Sequence, residues 1–262
     1  RRLSSAASDV YKRQVLEKKM KILVIGYGEL AEELAKVSSD FDFVGIKRSG
    51  SSELTNVKIV NCDYSLGLPE KVTKDKYDWI IFFPKTSGKS IDDYKNGYLS
   101  QMRAINDHFP SAQKIFISST RVYSGYSNIV VDENTPCKPS DEQGKIIEQY
   151  EKEALEHNQN CVIRLGGLIT HKSNFVKLVL EKQLFLNNKY INGVFISDVV
   201  SLIVKILGEG ISHQLINMIM PKFMKYSDFD LAFKGEPTNA AVKSIHYNDA
   251  AKFKIKSTEE II

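Results

Sequence analysis

Apolar positions in this chain alternate between two patterns. The short apolar run Ile22–Ile25 is of the kind a strand buried on both faces requires, and Phe43–Ile46, Val57–Val60, Trp79–Phe83 and Lys114–Ile117 read as further strands. Between them the spacing becomes helical. Leu30, Ala31, Leu34 and Ala35 share one face, and Tyr94, Tyr98, Met102 and Ile105 form a stripe within a predicted helix from Ile91 to His108. Ser140 to His157 reads as a charged amphipathic helix, Ser201 to Leu207 continues a helix headed by Asp198, and Leu215 to Met218 is a further strand. Strands alternating with helices predict an α/β protein: a Rossmann-type, doubly wound parallel sheet with a small intercalated C-terminal lobe.

The domain expectation is one unit over residues 20–262, with the lobe at about 167–196 and 219–262 and Tyr226 to Phe233 as part of it. Residues 1–19 stand apart. They show no hydrophobic period, and Arg-Arg-Leu-Ser-Ser-Ala-Ala-Ser-Asp-Val-Tyr-Lys-Arg-Gln is similar to a translated sequencing adapter, so an artefact or a disordered extension is expected. A transit peptide is the competing reading, against which Asp9 and Glu17 weigh. Lys256 to Ile262 end without a capping element, the pattern expected of a truncated end.

The junction after the first strand carries the most specific signal. Gly26-Tyr27-Gly28-Glu29-Leu30-Ala31 fits Gly-x-Gly-x-x-Gly/Ala between a strand and an amphipathic helix. Gly26 permits the sharp turn, Gly28 leaves room for a pyrophosphate, and Ala31 lets the helix approach the sheet, while the helix N-terminus offers N–H groups to the phosphates. A dinucleotide is the expected cofactor. Its identity turns on the end of the second strand, where an NAD site usually places an acid about 20 residues past the first glycine. Lys47, Arg48 and Ser49 stand there instead, favouring NADP(H) over NAD(H) through a 2′-phosphate; a solvated basic pair is the alternative. Asp63 after the third strand is either an adenine contact or a turn residue, and Phe83-Pro84-Lys85 opens the loop after the fourth strand, where ligands collect in such folds.

Composition narrows the class further. The chain has 262 residues, 42% hydrophobic and 26% charged, and its net charge of +4 is spread along the sequence, so neither nucleic acid nor a membrane surface is implied. Three widely spaced cysteines suggest free thiols in a reducing cytoplasm, and the five histidines lack ligand spacing, so no metal is expected. No apolar run has the length of a membrane span.

Later motifs add a family resemblance. With the glycine turn, Ser118-Ser119-Thr120-Arg121-Val122-Tyr123, Val131-Asp132-Glu133-Asn134-Thr135-Pro136, Val162-Ile163-Arg164-Leu165-Gly166-Gly167 and Tyr190 to Val199 resemble the extended short-chain dehydrogenase/reductases of the NAD-dependent epimerase/dehydratase group. That resemblance implies a Ser/Thr at Ser119 and a Tyr-x-x-x-Lys pair on the next helix, the tyrosine as general acid or base and the lysine tuning it. This chain has Gln143 at the tyrosine position and Ile147 at the lysine position, with Gly144 and Glu151 matching the flanks. No Tyr-x-x-x-Lys occurs elsewhere in it. Glutamine exchanges no proton near neutral pH and isoleucine carries no charge, so the usual proton transfer has no route through them.

Thr120 and Arg121 also replace the acidic pair of the family's 4,6-dehydratases, which argues against that reaction. Replacement acids are sought at Tyr123, otherwise a structural signature residue, and at Tyr126, Lys145, Lys85 and His171, each with a solvated or packing role as the plainer reading. Two functions remain: an NADP-dependent oxidoreductase or epimerase-like enzyme on a small-molecule substrate, or an NADPH-binding sensor without turnover. A homodimer through the Tyr94–Ile105 stripe is expected, with packing on the chain's own sheet as the alternative.

Overall fold

The computed structural model describes residues 19–170, 172, 175–186, 188–229, 236–249 and 253. The extension at 1–18, His171, Phe233 and the segment from Lys256 to Ile262 lie outside the described residues. The strands are β1 (Met20–Ile25), β2 (Phe41–Lys47), β3 (Val57–Asn61), β4 (Trp79–Phe82), β5 (Gln113–Ser119), β6 (Val130–Val131), β7 (Asn160–Leu165), β8 (Gly167–Ile169), β9 (Gly193–Phe195), β10 (Leu215–Met218) and β11 (Ala241–Val242). Seven of them form one parallel sheet in the order β10-β7-β5-β4-β1-β2-β3. Strand order reverses between β1 and β4, and a doubly wound sheet opens its ligand crevice at that reversal.

Alternating side chains divide the interior in two. From β1, Ile22 and Val24 join a core with Leu30, Ala31 and Leu34 of α1 (Glu29–Val37). Leu23 and Ile25 point the other way, into a core with Met102, Ile105 and Tyr150. The β4 residues split likewise, Trp79 and Ile81 against Ile80 and Phe82. Both faces are covered by helices, so these strands read as unbroken apolar runs.

The remaining helices are α2 (Glu70–Thr73), α3 (Ile91–Tyr94), α4 (Gln101–His108), α5 (Glu142–Ala154), α6 (Phe175–Glu181) and α7 (Ile196–Glu209). The helix expected from Ile91 to His108 is interrupted by a π-helical segment, Lys95–Ser100, unannounced by periodicity. Gly97 explains how this segment seats: a Cβ there would lie 2.8 Å from the Lys85 carbonyl oxygen, so the helix packs backbone to backbone on the β4 loop. The stripe expected to pair two copies is the inner face of this helix. Met102 and Ile105 are buried in the second core, and Tyr98 sets its ring edge against Tyr150 at 5.3 Å. Met102 and Ile105 are thus spent on the chain's own core, while Tyr94 and Tyr98 stay partly exposed.

Beyond the sheet, β8 pairs with β9 and β6 with β11, returning the C-terminal segment to the main body. Glu133 fastens it, accepting bonds from the Asn217 N–H at 2.9 Å, the Ser244 hydroxyl at 2.5 Å and the Ile245 N–H at 2.9 Å.

Candidate functional site

The cradle follows from β1. Gly26 has φ +87°, and a side chain there would also strike the Phe83 carbonyl oxygen, so glycine is required twice over. Gly28 is a different case. Its backbone is extended, and an added Cβ would meet only the Gly26 carbonyl oxygen at 3.8 Å. The space in front of Gly28 is open, although nothing in the protein fills it. Gly28 is also the N-cap of α1 and provides no side-chain cap, so the helix terminus faces that space uncapped. Tyr27 departs from its expected place among the cofactor contacts. Its ring is buried against Gly45, and its N–H is bound to the Ile46 carbonyl at 2.8 Å.

A cavity of about 290 Å³ extends from the cradle. Gly26, Gly28, Glu29, Leu30 and Ala31 wall one end, Phe83 and Pro84 the middle. Ile117, Ser118, Leu165, Leu168 and Tyr98 wall the other. Past the same β4 loop a smaller hollow is lined by Arg48, Asp63, Lys85, Asn96 and Gly97, among others. Of the basic cluster after β2, only Arg48 lines either space. Lys47 turns away, its Nζ 3.3 Å from the Ser51 carbonyl oxygen and 5.8 Å from the Tyr27 ring centre, and Ser49 is exposed. Asp63 takes both of its expected parts: it caps the turn by accepting from the Ser65 hydroxyl and N–H, and it borders the hollow. Those bonds, with Arg48 nearby, hold its carboxyl below the usual range.

The positions expected to be catalytic, Ser119 and Gln143, both bond to Arg121 and form no proton relay. Ser119 ends β5, its Oγ accepting from the Arg121 N–H at 3.2 Å. Its neighbour Ser118, not Ser119, lines the cavity, and Ser118 gives its hydroxyl to Glu151 at 2.5 Å. Gln143 is tied at both ends of its amide: the oxygen accepts from Arg121 and the nitrogen donates to the Lys89 carbonyl. Arg121 also binds Asp141 at 2.9 Å and the Tyr94 hydroxyl at 3.3 Å. Ile147 is 1% exposed and packs with Val122, Tyr123, Val131 and Ile219.

The proposed replacements go elsewhere. Tyr123 is a correction: it is buried, its hydroxyl donates to the Asp132 carbonyl at 2.7 Å and accepts from Arg164, and burial pushes its pKa up to about 12. It does not line the cavity. Tyr126 donates to the Pro136 carbonyl at 3.1 Å, and Lys145 pairs with Glu142 on the surface. Lys85 lies in the smaller hollow.

Two features escaped the sequence reading. The matching glutamate, Glu151, forms a buried ion pair with Arg164, bonded at 2.7, 2.9 and 3.1 Å. Tyr98, assigned to the apolar stripe, lines the cavity. The glycine before it, within a helical pattern, was the available signal.

Among the described residues no group of three or more potential metal ligands is found, and no helix is long and apolar enough to cross a membrane.

No family model matches the sequence, and no curated protein matches it. Solved structures do match. A Methylobacillus flagellatus protein described as an NAD-dependent epimerase/dehydratase superposes with a TM-score of 0.72 at 18% identity, covering 93% of this chain and 96% of the other. The dTDP-glucose 4,6-dehydratase of Bacillus anthracis, solved with NAD, gives 0.69 at 16%, covering 92% and 93%. The UDP-N-acetylglucosamine 4-epimerase of Methanobrevibacter ruminantium, solved with UDP-N-acetylmuramic acid, gives 0.69 at 12%, covering 93% and 95%. The chain is therefore built, over nearly its whole length, on the fold of these epimerase and dehydratase structures.

Proposed function

We propose that this chain binds NADP(H), with NAD(H) the weaker ligand, and acts as an oxidoreductase or epimerase-like protein on a small carbonyl or hydroxyl compound, sugar nucleotides included. The observation that carries this reading is the cradle at Gly28. An uncapped helix N-terminus borders an opening into which a Cβ at Gly28 would project, at the switch point of a doubly wound sheet. The cofactor, when bound, supplies or accepts a hydride. Gly26 and Gly28 shape the pyrophosphate seat, and the helix terminus offers it N–H donors. Arg48 and Lys85 supply positive charge in the hollow fitted to the adenosine end, and Ser119, next in the chain to the cavity-lining Ser118, orients a substrate oxygen that reaches the end of β5. Three free cysteines fit a cytoplasmic setting.

A second reading, an NADPH-binding regulatory protein without turnover, is favoured by one observation. Gln143 and Ile147 are absorbed into a hydrogen-bond clamp and an apolar cluster, respectively. The two separate in one experiment: the full chain with NADPH is offered aldehydes, ketones and nucleotide sugars, and NADPH oxidation is followed. Turnover that falls in Ser119→Ala supports the enzyme, and tight NADPH binding with no oxidation supports the sensor. Absence of NADPH binding refutes both.

A further inference from the structure

Of the residues lining the main cavity, two are titratable, Glu29 and Tyr98. Glu29 sits at the cradle end, 3.7 Å from Lys172. Tyr98 lines the same cavity as Ser118 of β5 and Leu165 of β7, strands on the far side of the switch point from Gly28, where a nicotinamide would lie if a pyrophosphate sat at Gly28. Among the described residues no hydrogen bond contributes to the electrostatics of Tyr98, which are set by burial and by the neighbouring Tyr94, Arg121 and Tyr64. The ring is fixed, stacked on Tyr94 at 5.6 Å with 7° between the planes and edge-on to Tyr150 at 5.3 Å and 90°. It belongs to the π-helical segment Lys95–Ser100, a distortion that recurs at functional sites.

We propose that Tyr98 is the proton donor of this site, taking over from another helix the part that Gln143 cannot play. The inference rests on the enzyme reading above. As a hydride from the dihydronicotinamide forms the new C–H bond, the carbonyl π electrons move to oxygen. The Tyr98 O–H bond breaks to give that oxygen its proton. The products are an alcohol, the oxidised nicotinamide and a tyrosinate, which takes a proton back from water. Burial pushes the Tyr98 pKa up to about 12, with the Tyr94 ring adding and the Arg121 charge opposing. The phenol is thus fully protonated at neutral pH, and an alkoxide is still the stronger base, so the transfer runs downhill in the reductive direction. Arg121 is a positioning residue here. Its guanidinium holds the Tyr94 hydroxyl at 3.3 Å and so fixes the ring on which Tyr98 stacks.

The test uses the full chain carrying 3-fluorotyrosine, with the Tyr98 fluorine signal assigned from its loss in Tyr98→Phe, a variant that keeps the ring stack. NADPH is titrated in, and reduction of 4-nitrobenzaldehyde, diacetyl and phenanthrenequinone is measured in parallel. The expected result has three parts. The Tyr98 signal shifts as NADPH saturates, Tyr98→Phe binds NADPH within about twofold of the parent, and its kcat falls about 10²–10⁴-fold. The proposal is overturned if the signal stays fixed at saturating NADPH, if Tyr98→Phe reduces the probes at the parental rate, or if the parent binds NADPH and reduces none of them. The last result leaves the cofactor reading standing. Failure to bind NADPH removes that reading and the Tyr98 assignment with it.

Discussion

Arg121 donates to the side-chain oxygen of Gln143, and the Gln143 nitrogen donates to the Lys89 carbonyl, so α5 is clamped to the loop after β4. The position at which the sequence resemblance would place a catalytic tyrosine is here a structural tie. Four residues on, Ile147 has become core. Reinstating a lysine there should fail energetically: Ile147→Lys buries an ammonium among Val122, Val131 and Ile219 and is expected to cost about 3–5 kcal/mol. Urea unfolding measures it. Gln143→Ala, by contrast, should leave NADPH affinity within about twofold, because neither end of this amide reaches the cradle.

Cofactor preference should reside in Arg48 more than Lys47. Arg48 lines the hollow beside Asp63, whereas Lys47 is turned onto Ser51 and Tyr27. A charge-assisted contact to a 2′-phosphate contributes about 1.5–3 kcal/mol before screening, so Arg48→Ala should cut the NADPH-over-NADH preference about tenfold or more. Lys47→Ala should cut it less. Titration of both variants with both cofactors decides it, and equal affinities in the parent protein would contradict the assignment.

The Glu151–Arg164 pair should be costly to break from one side. Both side chains are almost fully buried, at 2% and 4% exposure, so Glu151→Ala leaves an unpaired guanidinium beside Tyr123 and Cys137. The expected loss is about 3–5 kcal/mol. Replacing both partners by methionine should recover much of it, and equal losses for the single and double variants would show that the charge is not the cause.

Lys114 predicts a pH dependence. Its side chain is fully buried, its Nζ donates to the Ala112 carbonyl at 3.0 Å, and burial lowers its pKa from 10.5 to about 8. The folded protein holds this proton less tightly than the unfolded chain does. The penalty is therefore complete below pH 8, is relieved as pH rises from about 8 to 10.5, and is gone above that. Lys114→Met should accordingly be more stable by about 3 kcal/mol at pH 7, an advantage that shrinks toward zero near pH 10.5. Denaturation of both proteins across that range checks the sign.

The sheet was legible because strands buried on both faces must be apolar throughout, as Ile22 to Ile25 are. The glycine turn was legible because Gly26 answers a local constraint. Side-chain direction was not. Tyr27 and Lys47 sit in the expected segments, yet one enters the core over Gly45 of the neighbouring strand and the other folds back onto the Ser51 carbonyl of its own turn. Nor could periodicity separate the core stripe Met102 and Ile105 from Tyr98, because the π-helical segment changes the phase between them.

The function proposed for this chain depends first on the opening before Gly28 serving as a pyrophosphate seat. A Cβ at Gly28 meets nothing in the protein closer than 3.8 Å, and the backbone there is extended, so Gly28→Val should fold with a loss of no more than about 1 kcal/mol from the weaker N-cap. The deciding measurement is NADPH titration of the parent and of Gly28→Val, followed by nicotinamide fluorescence, with melting curves on the same samples. Saturable binding by the parent and at least tenfold weaker binding by a folded Gly28→Val is the predicted result. A parent that does not bind, or a variant that binds as the parent does, would contradict it.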